Sequence, residues 1–239
     1  MNALEIRDLS KSFDGFALRN VSFSVPMGTA VGLVGENGAG KSTTLSLILG
    51  ELEPDGGSVR IFGRDAGRCP AELREDIGVV FDESCFPEGL TVRQVDRVEK
   101  YLYKNWDSEA FFSHIRRFDL PEAKPFKAFS RGMKMKLALA VALSHKAKLL
   151  LLDEATGGLD PLARDELIGE LSNFIADGEH AILLSSHIVS DIEKLCGRVA
   201  FLHKGALVMD EDKSALMAAH PGETLEDVIL SLSRKEQTV

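Results

Sequence analysis

The chain has 239 residues, with 28 basic against 37 acidic side chains and a formal net charge of −9 at pH 7. That length closes one sizeable hydrophobic core, and the acidic balance argues against nucleic acid as a partner, because duplex binding needs Lys and Arg to neutralise phosphates. Three widely spaced cysteines, Cys69, Cys85 and Cys196, imply no disulfide framework and lack metal-ligand spacing, which points to a reducing cytoplasm.

The start, Met1-Asn2-Ala3-Leu4-Glu5-Ile6, alternates like a strand and lacks the basic and then apolar order of a signal peptide. Val21-Phe23-Val25 alternates in the same way, and Asp14-Gly15 between them makes a turn. Thr29 to Val34 is a continuous small and apolar run suited to a buried parallel strand. Gly35 to Gly40 breaks it, and Leu45, Ile48 and Leu49 then repeat at helical spacing up to Gly50, a helix-ending glycine. Pro54-Asp55-Gly56-Gly57 turns into a Val59-Ile61 strand, and Ile77 to Phe81 reads as another buried strand.

From about Pro87 to Ser144 the spacing is helical and the composition richer in aromatic and basic residues. Met133 to Leu139 alternates like a strand there, but Met, Lys, Leu and Ala are strong helix formers, so a helix is predicted. Trp106, Tyr101 and Tyr103 read as packing anchors of this helical part, and Arg131, Lys134 and Lys136 as a solvated or dimer-interface patch. The longest apolar run, Leu137 to Leu143, falls far short of the ~18–20 residues a membrane span requires. Strand Leu149-Leu152 follows, then a helix with Asp160 as N-cap and Pro161 as first residue, strand Ile182-Ser185, a helix from about Ile188 to Cys196, and a hairpin around Lys204-Gly205. A short helix opened by Thr224 comes last.

Two segments carry chemistry. Gly35-Glu36-Asn37-Gly38-Ala39-Gly40-Lys41-Ser42 matches the eight-residue phosphate-loop pattern, with Thr43 next in line. Its glycines let backbone N–H groups turn inward around phosphate oxygens, and the following helix aims its positive end at the same anion. Lys41 supplies a point charge for the β- and γ-phosphates, and the Ser42 hydroxyl ligates Mg²⁺. In Leu149-Leu150-Leu151-Leu152-Asp153-Glu154, four leucines cannot hide an acid, so Asp153 belongs where the strand emerges at the carboxyl edge of the sheet, which is where ligands of open α/β sheets bind. Asp153 is placed to hold Mg²⁺ through its water, and Glu154 to polarise the attacking water as general base.

With these motifs in place, the chain resembles the nucleotide-binding subunit of an ATP-binding-cassette (ABC) transporter. Phe129-Ser130-Arg131-Gly132-Met133 resembles the family's LSGGQ signature, keeping Ser130 and Gly132; Arg131 stands for a glycine and Met133 for the glutamine. The resemblance implies that Ser130 and its helix contact the γ-phosphate of ATP held by a second ABC subunit. By the same resemblance Phe13 stacks on adenine, Gly158-Leu159-Asp160 is the D-loop, His187 is the switch histidine, and Asp82 takes the place of the Q-loop glutamine and its metal contact. The implied fold is α/β: a phosphate-loop NTPase core with a mostly parallel sheet, an N-terminal antiparallel β subdomain and an inserted helical subdomain. One ABC ATPase domain would span residues 1–239, with the core at 1–86 and 146–239 and the helical part at 87–145. The implied partners are ATP, Mg²⁺, a second ABC subunit and an integral-membrane permease at the inner face of the cell membrane. The variant signature most resembles the bacterial drug-, antibiotic- and peptide-exporting branch. A soluble ABC-type switch protein is the alternative. An unrelated phosphate-loop kinase or GTPase has no need of the Ser130 element, and no Asn-Lys-x-Asp sequence is present.

Overall fold

A computed structural model describes residues 1–67, 70–81 and 86–235. Cys69, Cys85 and Asp82 lie outside the described residues. Strands β1 (Asn2–Phe13) and β2 (Phe16–Pro26) form an antiparallel hairpin across the two-residue Asp14-Gly15 turn. Only Leu4 to Ile6 alternates cleanly in the sequence because register shifts interrupt β1 between Ile6 and Leu9 and again before Lys11. Strand β3 (Ala30–Val34) is wholly buried and leads through the phosphate loop into α1 (Lys41–Ile48). Strand β4 (Gly56–Ile61) pairs with β1, and the two-residue β5 (Arg64–Asp65) with β4. Helix α2 (Ala71–Arg74) precedes β6 (Ile77–Phe81).

Between β6 and β7 the described residues form α3 (Val92–Leu102), α4 (Ser108–Arg117), a short 3₁₀ turn and α5 (Arg131–Ser144). The alternating Met133–Leu139 stretch is helix, as residue propensity rather than period predicts. Strand β7 (Leu149–Asp153), α6 (Pro161–Ile175), β8 (Ala181–Ser186), α7 (Val189–Leu195), β9 (Arg198–His203), β10 (Ala206–Asp212), α8 (Lys213–Ala219) and α9 (Leu225–Lys235) complete the order. Strand β5 and helices α2 and α8 are too short to show a period and were not anticipated.

The sheet runs β5-β4-β1-β2-β10-β9-β3-β8-β7-β6, with β9, β3, β8, β7 and β6 parallel. Alternate residues of the buried strands feed two cores. Leu149, Leu151, Leu183 and Val31 face α1 and the β1–β2–β4 strands. Leu150, Leu152, Leu184 and Val34 face the helices. Period-2 geometry thus turns one run of leucines into the middle of three layers. On the helical side Trp106 packs against Phe111, its indole donating to Asp96 Oδ1 at 2.9 Å, and Tyr103 stacks on the buried His145 at 4.0 Å. Tyr101 differs from its expected packing role: it is 91% exposed, because its position on α3 faces away from the buried Val92, Val95 and Glu99. Burial pushes the Cys196 thiol up to about 12, so it stays protonated at neutral pH.

Candidate active site

The carboxyl ends of β3, β7 and β8 converge because their register is parallel: Val34 lies opposite Ser186, and Asp153 opposite Ser185. The chain leaves β3 at Gly35, where a Cβ would come within 2.4 Å of the Leu202 carbonyl oxygen. No other residue fits so close a backbone approach. Gly40 caps α1 with φ 110°, and a Cβ there would meet Leu18 Cδ1 at 2.9 Å and Phe16 Cζ at 3.0 Å. Loop and helix enclose a cleft of about 490 Å³ lined by Phe16, Asn37, Gly38, Gly40, Lys41, Ser42, Thr43 and Glu154. Ala39 is buried beneath the loop.

Lys41 is only 6% exposed, yet its ammonium is well supplied with oxygen. It donates to the Gly35 carbonyl at 2.7 Å and to the Glu36 carbonyl at 3.2 Å, and faces Glu154 Oε1 at 3.2 Å. Glu154 follows β7 with a left-handed φ of 51°, an unusual conformation for a residue other than glycine or asparagine. Its N–H donates to the Ser185 carbonyl at 2.9 Å, which holds the turn against β8. The other carboxylate oxygen meets His187 Nδ1 at 2.6 Å. Glu154 therefore bridges Lys41 and His187, three sequence-predicted residues brought together at one end of the cleft. Asp153 Oδ1 accepts from Ser185 Oγ at 2.8 Å.

The remaining candidates lie around this centre. Phe13 is 43% exposed at the hairpin end and belongs to neither core cluster; its ring stacks 6.3 Å from that of Phe16. Sequence reading missed Phe16, although a two-residue turn necessarily sets residues 13 and 16 opposite each other. Ser130 caps α5, accepting from the Met133 N–H at 3.2 Å, while Ser130 and Gly132 do not line the phosphate cleft. A Cβ on Gly132 would touch Ala163 and Leu159, so the first turns of α5 and α6 pack together. Asp160 caps α6 by accepting from the Leu162 and Ala163 N–H groups. The expected basic patch is engaged within the chain: Lys134 lies 5.0 Å over the Phe126 ring and Lys136 pairs with Glu166. His187 also borders a smaller cleft of about 150 Å³ beside Glu226 and Leu230 of α9, a neighbour with no sequence signal.

Residues 18–157 match the model of the ABC transporter family. The chain belongs to that family. As an ABC ATP-binding subunit it binds ATP and hydrolyses it in the service of transport. The lantibiotic transport ATP-binding protein SrtF of Streptococcus pyogenes is 32% identical over 212 residues, covering 87% of this chain and 90% of SrtF. The Nod factor export ATP-binding protein I of Rhizobium sp. (strain N33) is 33% identical over 226 residues, covering 92% of this chain and 74% of that protein. A solved ATP-binding subunit of an ABC transporter superposes with a TM-score of 0.88 at 29% identity, covering 97% of this chain and 99% of that one. Among the described residues of this ABC subunit, no helix is long and apolar enough to cross a membrane.

Proposed function

We propose that this ABC subunit drives export through a separate membrane permease, with Glu154 as the general base of ATP hydrolysis. The carrying observation is the Glu154 carboxylate held between Lys41 and His187 at the mouth of the phosphate cleft. A triphosphate lying along Gly35 to Thr43 takes the Lys41 ammonium as counter-charge, and Glu154 is then left to polarise water with its geometry fixed by His187. Phe13 stacks on the adenine. The donor set suits Mg²⁺: the Ser42 hydroxyl and the Asp153 carboxylate are hard oxygen ligands, and the described residues hold no cluster of three acidic, His or Cys side chains that would cage the ion without phosphate. Mg²⁺ supplies neutralisation of phosphate charge there; the proposed contact from Asp82 falls outside the described residues.

Ser130, exposed at the N terminus of α5, reaches the nucleotide of a second ABC subunit, so that two chains enclose two ATP molecules and hydrolysis reopens them. Residues 87–145 act as the subdomain that carries this helix. A cleft of about 380 Å³ lined by Leu49, Arg74, Val79, Phe81 and Tyr103, between the core and α3, is the place where the permease is engaged from the inner face of the membrane. The exposed Tyr101 and Leu102 just before it support that assignment. Export as the direction is supported by the Nod factor export relative.

Glu154→Gln tests the chemistry. Hydrolysis should fall by roughly 10²–10⁴-fold, the usual worth of a general base, while ATP-dependent dimerisation persists. Hydrolysis at the parental rate would remove Glu154 from its role. Affinity capture from membranes with ATP present should recover an integral-membrane permease.

A further inference from the structure

We infer that Arg131 is a positioning residue for hydrolysis, tying the serine-tipped N terminus of α5 to the turn that begins at Glu154. Arg131 is the first residue of α5, and its guanidinium crosses to the loop between β7 and α6. A Cβ on Gly158 would stand 2.8 Å from Arg131 Nη1, 3.0 Å from Cζ and 3.3 Å from Nε. One on Gly157 would stand 3.5 Å from Nη2 and 3.1 Å from the Glu154 carbonyl oxygen. The guanidinium thus fills the space where a Gly158 side chain would stand and lies in van der Waals range of Gly157. The loop beneath it is tight: the Gly157 N–H donates to the Glu154 carbonyl at 2.9 Å, and Gly158 has φ 67°.

From the other side, Gly132 packs on Ala163 and Leu159, and Asp160 caps α6. The first turns of α5 and α6 and the Glu154 turn therefore meet at one corner, with Arg131 lying across it. The inference rests on the proposed roles of Glu154 and Ser130. When Ser130 is drawn onto a neighbour's phosphate, the planar guanidinium carries that displacement into the Glu154 turn. A lysine is a flexible point charge and cannot lie flat against the loop in this way.

The test uses the full chain carrying Arg131→Ala or Arg131→Lys. Arg131→Ala should lower kcat about tenfold and leave KM for ATP within about twofold, as expected when a catalytic group is mispositioned while binding is intact. Arg131→Lys should not restore the rate. In the Glu154→Gln background, Arg131→Ala should dimerise at the same ATP concentration as Glu154→Gln alone. An unchanged kcat, with or without a lower melting temperature, overturns the inference; so does full rescue by lysine. A shift of ATP-driven dimerisation to higher concentration would assign Arg131 to the partner's phosphate instead and equally overturn it. Failure of the base assignment shows separately, as hydrolysis surviving in Glu154→Gln with Arg131 intact.

Discussion

Two carbonyls and a carboxylate surround the Lys41 ammonium in its almost fully buried place, and a phosphate entering the cleft competes with Glu154 for it. Lys41→Ala should therefore weaken ATP binding by roughly 10–100-fold, the worth of a hydrogen bond to a charged group, as read by a fluorescent ATP analogue. Unchanged affinity would count against the phosphate-loop assignment. The sequence named Lys41, Glu154 and His187 separately, since each sits in or beside a pattern with a mechanism. Their contact was not legible, because it depends on the left-handed turn at Glu154 and on β7 and β8 being adjacent. Arg131 shows the limit from the other direction: its identity stood out as unusual, but only the structure shows that its side chain turns back onto its own chain.

Elements were legible where a cap or a period marked them. Asp160 and Pro161 announce α6, Ser130 announces α5, and the four leucines announce β7. At the ends of α3 and α5 a different interaction appears: their C-cap residues, Tyr103 and His145, stack on each other, and His145 Nδ1 lies 3.2 Å from the Glu75 carbonyl. Burial lowers the pKa of His145 from its ordinary 6.5, against the opposing pull of the Glu75 carbonyl and the Glu75 and Asp76 charges. The unfolded chain then takes up a proton at this residue near pH 6.5 while the folded chain does not, so the folded state loses stability as pH falls below 6.5 and loses no more once the folded imidazole is itself protonated. His145→Phe keeps a ring on Tyr103 and removes the titration. Denaturant unfolding between pH 7.5 and 5 should show a shallower decline in this variant; parallel curves would contradict the account.

At the scale of the whole molecule, the same sheet contains two kinds of pairing. The parallel strands carry the phosphate loop, Asp153 and the Glu154 turn, and the antiparallel β1–β2 hairpin carries Phe13. The two parts share a buried core, and their backbones are joined over a short stretch: Ala206 pairs with Arg19, the Arg19 N–H donates to the Gly205 carbonyl at 2.7 Å, and the Gly205 N–H donates to the Ala39 carbonyl at 3.0 Å. In the proposed reading Phe13 of the hairpin meets the base and the loop after β3 meets the phosphates, while Phe16 of β2 lines the phosphate cleft as well. Phe13→Ala should weaken ATP binding roughly tenfold, in line with the worth of stacking one base on an aromatic ring, yet leave the affinity for inorganic tripolyphosphate unchanged. Equal losses for both ligands would mean that Phe13 also shapes the phosphate cradle. If the two responses do separate, nucleobase preference in this subunit can drift by changes at position 13 alone, with the engine that cleaves the terminal phosphate left untouched.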